Sequence, residues 1–191
     1  GVKRIFSDPE AARRLDARGQ ALSSANSINL GRLAPQVAYY FSAYVDLMNR
    51  GAIEMGEEVN FAVPTGNFGN ILAAYYAHNM GLPIGKLLCA SNRNNVLADF
   101  LEKGVYSTHR MFFKTMSPSM DILISSNLER MLHEITGDGE QVRRWMEELQ
   151  TGGRFTVDDA TFRRLREGMA GDWVDNETSL RTIGRVYGEY G

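Results

Sequence analysis

One cysteine among 191 residues, Cys89, leaves no partner for an internal disulfide and makes a reducing, cytoplasmic setting the expectation. The histidines number three, His78, His109 and His133, and none has a motif partner. With a single thiol they form no metal-ligand spacing, so no metal site is expected. No run approaches the roughly 20 apolar residues of a membrane-spanning helix, and GVKRIFSDPEAARR lacks the apolar core of a secretory leader. A membrane partner is therefore not expected. Nor is a nucleic acid, because 21 basic against 23 acidic residues give a net charge of −2 and no basic excess. Lysine is scarce too, limited to Lys3, Lys86, Lys103 and Lys114.

What is present suits a globular α/β domain. Hydrophobic residues make up 43% of the chain, and its length is enough for one ordinary domain with a real core. Asp8-Pro9 predicts a helix start, with a short helix over 9–17. The stretch 21–26 is small and polar, a connection. Leu30, Leu33, Val37, Phe41, Tyr44 and Met48 recur at helical steps and predict one long helix ending at Gly51, with Pro35 in its second turn. Val59 to Val63 then reads as a strand stopped by Pro64, and 70–80 as a helix closed by Gly81.

A second cycle follows, with a strand over 86–91 and a helix over 95–103 before Gly104. Strand, loop, helix, turn, strand, helix predicts a parallel sheet with helices on both faces. The region 114–126 is loop-rich. Helices are expected over 126–135, 140–150 and 158–167, and a last one over 177–187 behind an Asn176 cap. Thr151-Gly152-Gly153 is the one candidate boundary. Cys89, within its strand, reads as a buried apolar filler.

The loop Thr65-Gly66-Asn67-Phe68-Gly69-Asn70 sits where a strand hands over to a helix, the place at which open parallel sheets bind ligands. Gly66 and Gly69 permit close backbone approach, and successive amides at a helix start favour an anion. The side chains of Thr65, Asn67 and Asn70 could add neutral hydrogen bonds. No Gly-Lys-Ser/Thr follows and the spacing is not G-x-G-x-x-G, so a nucleotide has little support. On spacing alone two readings stay open: a phosphate cradle, or a turn whose glycines serve close packing.

Five blocks, in order, resemble threonine synthases. They are Asn26-Ser27-Ile28-Asn29 with Arg32 and Tyr39-Tyr40-Phe41; Val63 through Ala73; Met80-Gly81-Leu82-Pro83-Ile84; Ser91-Asn92 with Asn94-Asn95; and Ser117 through Arg130. The likeness covers about 25–153, with a looser likeness to the end. It implies a pyridoxal-phosphate enzyme of the tryptophan-synthase-β-like fold (PLP fold type II), converting O-phosphohomoserine and water to threonine and phosphate. It further implies that Thr65, Gly66, Asn67, Phe68, Gly69 and Asn70 hold the phosphate of pyridoxal 5′-phosphate.

In that family the Schiff-base lysine lies upstream in a Phe-Lys-Asp type motif, which none of the four lysines here matches. The asparagine for the cofactor's ring oxygen also lies upstream, and the partner of the pyridine nitrogen lies downstream of Gly191. The resemblance thus implies an incomplete fold: a fragment with 1–153 in the cofactor-binding catalytic domain and 154–191 as its helical continuation. The ends, Gly1 and GRVYGEYG, read as cuts within a longer protein, or as a trimmed piece.

Asn26, Ser27, Asn29 and Arg32 are candidates for substrate binding, Arg32 through a bidentate contact to phosphate or carboxylate. The alternative is a helix cap from Asn29 with Arg32 exposed. Ser117 to Asp121 and Ser125 to Asn127 could line a substrate cleft or stabilise turns, and Asp121 reads as structural. Two rivals remain: a non-catalytic binding or oligomerisation module of the same fold, and a threonine-synthase-like phospho-lyase.

Overall fold

Residues 8–23 and 26–191 are described by the structure, a computed structural model. Lys3 and positions 24–25 of the expected connection lie outside them. The first helix, α1 (Pro9–Asp16), is capped by Asp8, whose carboxylate accepts from the amides of Glu10 and Ala11.

The long helix expected over 30–51 is broken in two. A single turn, α2 (Leu30–Leu33), passes through a 3-10 turn at Ala34–Gln36 into α3 (Val37–Asn49). Pro35 sits in the tightened turn, where its missing N–H and ring bulk interrupt the α-helical ladder. Then follow β1 (Val59–Pro64), α4 (Gly69–Asn79), β2 (Ile84–Ser91) and α5 (Val96–Lys103), close to the two expected cycles.

The rest of the chain holds the four expected helices and adds three short strands that the sequence did not suggest. It runs β3 (Val105–Ser107), α6 (Leu128–Thr136), α7 (Gly139–Gly152), β4 (Arg154–Thr156), α8 (Asp159–Gly168), β5 (Met169–Trp173) and α9 (Asn176–Tyr190). The stretch 154–191, expected as a helical continuation, thus supplies two strands beside its helices. The cap of α9 is Asp175, which accepts from the Thr178 amide at 2.8 Å, and not Asn176.

β1, β2 and β5 form one parallel sheet in the order β1-β2-β5, with Val63 opposite Cys89 and Cys89 opposite Gly171. Gly171 allows α5 to lie directly on the sheet, since a Cβ there would stand 2.8 Å from Ala98 Cα. Leu87, on the same face, meets α4 and α8 at the sheet's lower end. β3 and β4 pair antiparallel and set Tyr106 against Phe155, with ring centroids 5.4 Å apart. Phe100 and Trp145 complete this aromatic layer. The Tyr106 hydroxyl donates to Leu123 O and accepts from Ser125 N, so β3 also anchors the segment leading into α6.

Covered and open faces of the sheet differ sharply. Val63, Cys89 and Met169 are buried, whereas Ala62 and Ala170 are exposed and Leu88, between them in the register, is 41% exposed. Among the described residues neither β1 nor β5 has an outer neighbour. Helix α9 buries nothing, leaving Leu180, Ile183 and Tyr187 on view.

Open strand edges and apolar faces of this kind favour association. The chain should bind a hydrophobic dye or self-associate at micromolar concentration in sedimentation. A compact, dye-negative monomer would contradict that expectation.

Candidate functional site

The ladder between β1 and β2 carries past the end of β1: Thr65 N donates to Ala90 O at 2.8 Å. Thr65 is buried, and its hydroxyl donates back to Val63 O at 2.6 Å, fixing the point at which the chain leaves the sheet. From there the loop turns through Phe68, whose φ of 62° and ψ of 5° lie in the left-handed region. A phenylalanine pays a steric cost there. Its ring, 1% exposed in the core, offsets that cost by burial.

Two carbonyls of this loop are held from outside. Gly66 O accepts from Ser125 Oγ at 3.2 Å, and Asn67 O accepts from both Asn127 N (3.2 Å) and Asn127 Nδ2 (2.9 Å). A trans peptide places its C=O and the next N–H on opposite sides. Holding these carbonyls toward Ser125 and Asn127 therefore turns the amides of Asn67 and Phe68 the other way. Among the described residues, no acceptor takes the backbone N–H of any residue from Gly66 to Ile71. A left-handed residue leading into a helix start, with successive unpartnered amides, has the backbone form of an anion-binding nest.

The residues from Pro64 to Ile71 line one cavity of about 230 Å³, together with Ser27 and Gln36. All six expected cofactor residues, Thr65 to Asn70, are thus brought together. Their side chains divide in use. Asn70 is already engaged, accepting from Tyr40 OH at 2.7 Å and donating to Gln36 Oε1 at 3.0 Å. Among the described residues Asn67 makes no side-chain hydrogen bond, so its amide remains available to a ligand.

The four expected substrate residues do not converge. Ser27 lines the cavity, its Oγ donating to Asn26 Oδ1 (3.1 Å) and accepting from Asn127 Nδ2 (3.2 Å). Asn26 also accepts from Ile28 N, and Asn29 caps α2 by accepting from Gly31 N at 3.0 Å. Arg32 is exposed and does not line the cavity.

Asn127 was legible only as part of a loop, yet it is the centre of the arrangement. Fully buried, it bonds Asn67, Ser27 and Arg130, and Arg130 Nη2 reaches Ile28 O at 2.6 Å. The bonds to Ser27 and Ile28 join positions about a hundred apart in sequence, beyond the reach of any local pattern.

A second network stands beside the loop. Asp121 accepts from Asn92 Nδ2 (2.8 Å), Asn94 Nδ2 (2.9 Å), Thr115 N (2.9 Å) and Thr115 Oγ1 (2.7 Å). Burial alone would raise this carboxyl, but the bonds from Thr115, Asn92 and Asn94 outweigh it and hold it below the usual carboxylate range. Cys89, under the loop, is fully buried, and that burial pushes its thiol up to about 11 against the lowering contacts of Thr65 and Ser91. It is an inert filler, as its place in the strand suggested.

Two expectations follow from these contacts. A Cβ on Gly69 would lie 2.6 Å from both Cβ and Oγ of Ser27. Gly69→Ala should therefore cost about 1–3 kcal/mol in urea unfolding, and adding Ser27→Gly should recover part of it. Strict additivity of the two changes would show that the contact carries no strain. The second concerns acid. Asp121 has a folded pKa below its unfolded one, so its contribution is complete above the unfolded value of about 4 and is lost as pH falls through the lower folded value. The stability gap between the wild type and Asp121→Asn should be full at pH 6 and shrink toward pH 3, whereas a constant gap would exclude the carboxylate as its source.

No protein-family model matches the chain. It is 46% identical over 193 residues to threonine synthase-like 1 of Homo sapiens, covering 100% of this chain and 26% of that protein. Against the threonine synthase of Saccharomyces cerevisiae identity is 39% over 196 residues, 97% of this chain and 37% of the other. The crystal structure of PLP-bound threonine synthase from Brucella melitensis superposes with a TM-score of 0.88 at 41% identity, over 100% of this chain and 39% of that one. The chain accordingly spans between 26% and 39% of the length of these relatives. Likeness of sequence and fold at this level, running along almost every residue, means that the chain belongs to the threonine synthase family.

Proposed function

We propose that this chain is the phosphate-holding part of a pyridoxal-phosphate enzyme that converts O-phosphohomoserine and water to threonine and phosphate. The observation that carries the reading is the row of unpartnered amides from Gly66 to Ile71 around one cavity. Pyridoxal 5′-phosphate suits it at the phosphate end. The dianion needs N–H donors, and the glycines leave the backbone bare where a Cβ would collide: at Gly66 with Ser119 O (2.8 Å) and at Gly69 with Ser27. Gly66, Asn67, Phe68, Gly69 and Asn70 would hold the group through their amides, Asn67 through its side chain as well, while Thr65 fixes the loop to the sheet. When bound, the cofactor supplies the electron sink for bond changes in an amino-acid substrate. Ser27 is the one candidate substrate residue that faces the same cavity. The lone buried thiol favours a cytoplasmic setting.

Residues 154–191 belong on this reading to the same domain as 1–153, because β5 is a strand of the same sheet. The lysines of the described residues are occupied or remote from the task. Lys86 Nζ donates to Arg166 O and Glu167 O at the end of α8, Lys103 pairs with Asp99 and Glu102, and Lys114 is exposed. None of these three lysines is placed to hold the cofactor covalently, and the chain should be inactive alone.

A phospho-lyase that releases a keto acid would use the same cradle. Its product separates it from the reading above.

Calorimetric titration with inorganic phosphate and with pyridoxal 5′-phosphate should show competitive binding that Gly69→Ala weakens. Supplied with cofactor and O-phosphohomoserine, the chain should release no phosphate above a denatured control. Absence of any anion binding would overturn the cradle, and release of phosphate would overturn the predicted inactivity.

A further inference from the structure

The segment 113–121, which crosses the loop after β1, is fastened at several points to the residues following β2. Phe113 N donates to Asn94 Oδ1 at 2.9 Å, and Asn94 Nδ2 donates to Phe113 O at 2.8 Å. Asn92 Nδ2 reaches Ser117 Oγ at 3.0 Å and Thr115 Oγ1 at 2.9 Å. Part of the fastening ends on one carboxylate. Asp121 takes four donors, two from Thr115 within the segment and one each from Asn92 and Asn94 at the carboxyl end of β2.

Two residues before Asp121, the Ser119 carbonyl stands close against Gly66: its oxygen lies 2.8 Å, and Met120 Cα 3.4 Å, from where a Cβ would stand. Gly66 is also held from its own carbonyl by Ser125 Oγ. The first residue of the amide row is thus bonded on one side and closely packed on the other, and the packed side is set by where the segment sits. Asp121 itself does not line the cavity.

We propose that Asp121 is a positioning residue for the amide cradle, acting through the 113–121 segment and Ser119 to fix Gly66, and touching no ligand. Its bearing on phosphate affinity rests on the functional reading above, but the ordering of the loop does not. A plain loop staple would hold 113–121 and leave the cradle indifferent to its loss. The isosteric change Asp121→Asn exchanges one acceptor oxygen for a donor group that faces the donors of Asn92, Asn94 and Thr115.

The deciding measurement is ¹⁵N relaxation of the Gly66 to Asn70 amides in the ligand-free chain, for the wild type, Asp121→Asn and Asp158→Asn. Asp158 is a matched control, a carboxylate that caps α8 with bonds from Ala160, Thr161 and Gln141 and none to the segment or the cradle. Order parameters at the cradle should fall from the rigid value of about 0.85 toward the flexible value of about 0.6 in Asp121→Asn, and stay unchanged in Asp158→Asn. Thr115→Val, which removes one donor and keeps the carboxylate, should give a smaller fall in the same amides and serves where Asp121→Asn does not fold. No fall in either segment variant, or an equal fall in the control, overturns the assignment. Phosphate titration of the wild type stands apart: its failure would remove the functional reading and leave the relaxation result to decide this one.

Discussion

Two carbonyl groups, those of Gly66 and Asn67, decide which way the loop after β1 faces. A carbonyl that has a buried partner stays turned toward it, and the planar peptide then carries the next amide to the opposite side. Here the partners are Ser125 and Asn127, brought from the start of α6. Asn127 is fully buried, so its own amide must be satisfied, and the protein does this with Asn67, Ser27 and Arg130 together. The result is a loop whose donors remain unspent because its acceptors are committed elsewhere. That arrangement is unfavourable for the isolated loop. It persists because the surrounding bonds over-determine it.

The same logic accounts for the division of labour among side chains. Thr65 and Asn70 carry functional groups that a ligand could use, but each is tied into the scaffold, to Val63 and to Tyr40 and Gln36. They give stiffness, and the donors left free are those of the backbone and of Asn67. Tyr40 is itself held by an edge-to-face contact with Phe61 on β1, at 5.0 Å between centroids. The start of α4 is thereby referenced to the sheet through α3 as well as through the loop. Such a shell around a backbone site keeps donors in place before a ligand arrives.

How much of this the sequence disclosed depends on the range of the interactions. The two strand-helix cycles were legible because Val59 to Val63, 86–91 and the glycines that close their helices are local signals. The loop's place and its six residues followed from the same cycles. The strand Met169–Trp173 was not legible. Its glycine and its Asp172 give no strand pattern, and it is a strand because β2 offers a parallel edge and Gly171 lets α5 approach. The short pair β3 and β4 was hidden likewise, three residues each being too few for periodicity. The roles of Asn127, Arg130 and Asp121 depend on partners far away in the chain. Arg32, attractive by chemistry, stands exposed outside the cavity, on the single turn α2 that Asn29 caps.

Helix α9 has a consequence for how this chain melts. It runs 15 residues and buries none of them, so its helicity draws on its Asp175 cap and on the Arg181–Glu177 pair, and hardly on packing. A helix of that length is marginal in water without tertiary support. Its helix–coil equilibrium is therefore largely its own, while the sheet and the aromatic layer of Phe100, Tyr106, Trp145 and Phe155 unfold together. Far-ultraviolet and near-ultraviolet circular dichroism would then report different transitions, the unfolding free energy of the sheet and its packed helices leaving α9 out.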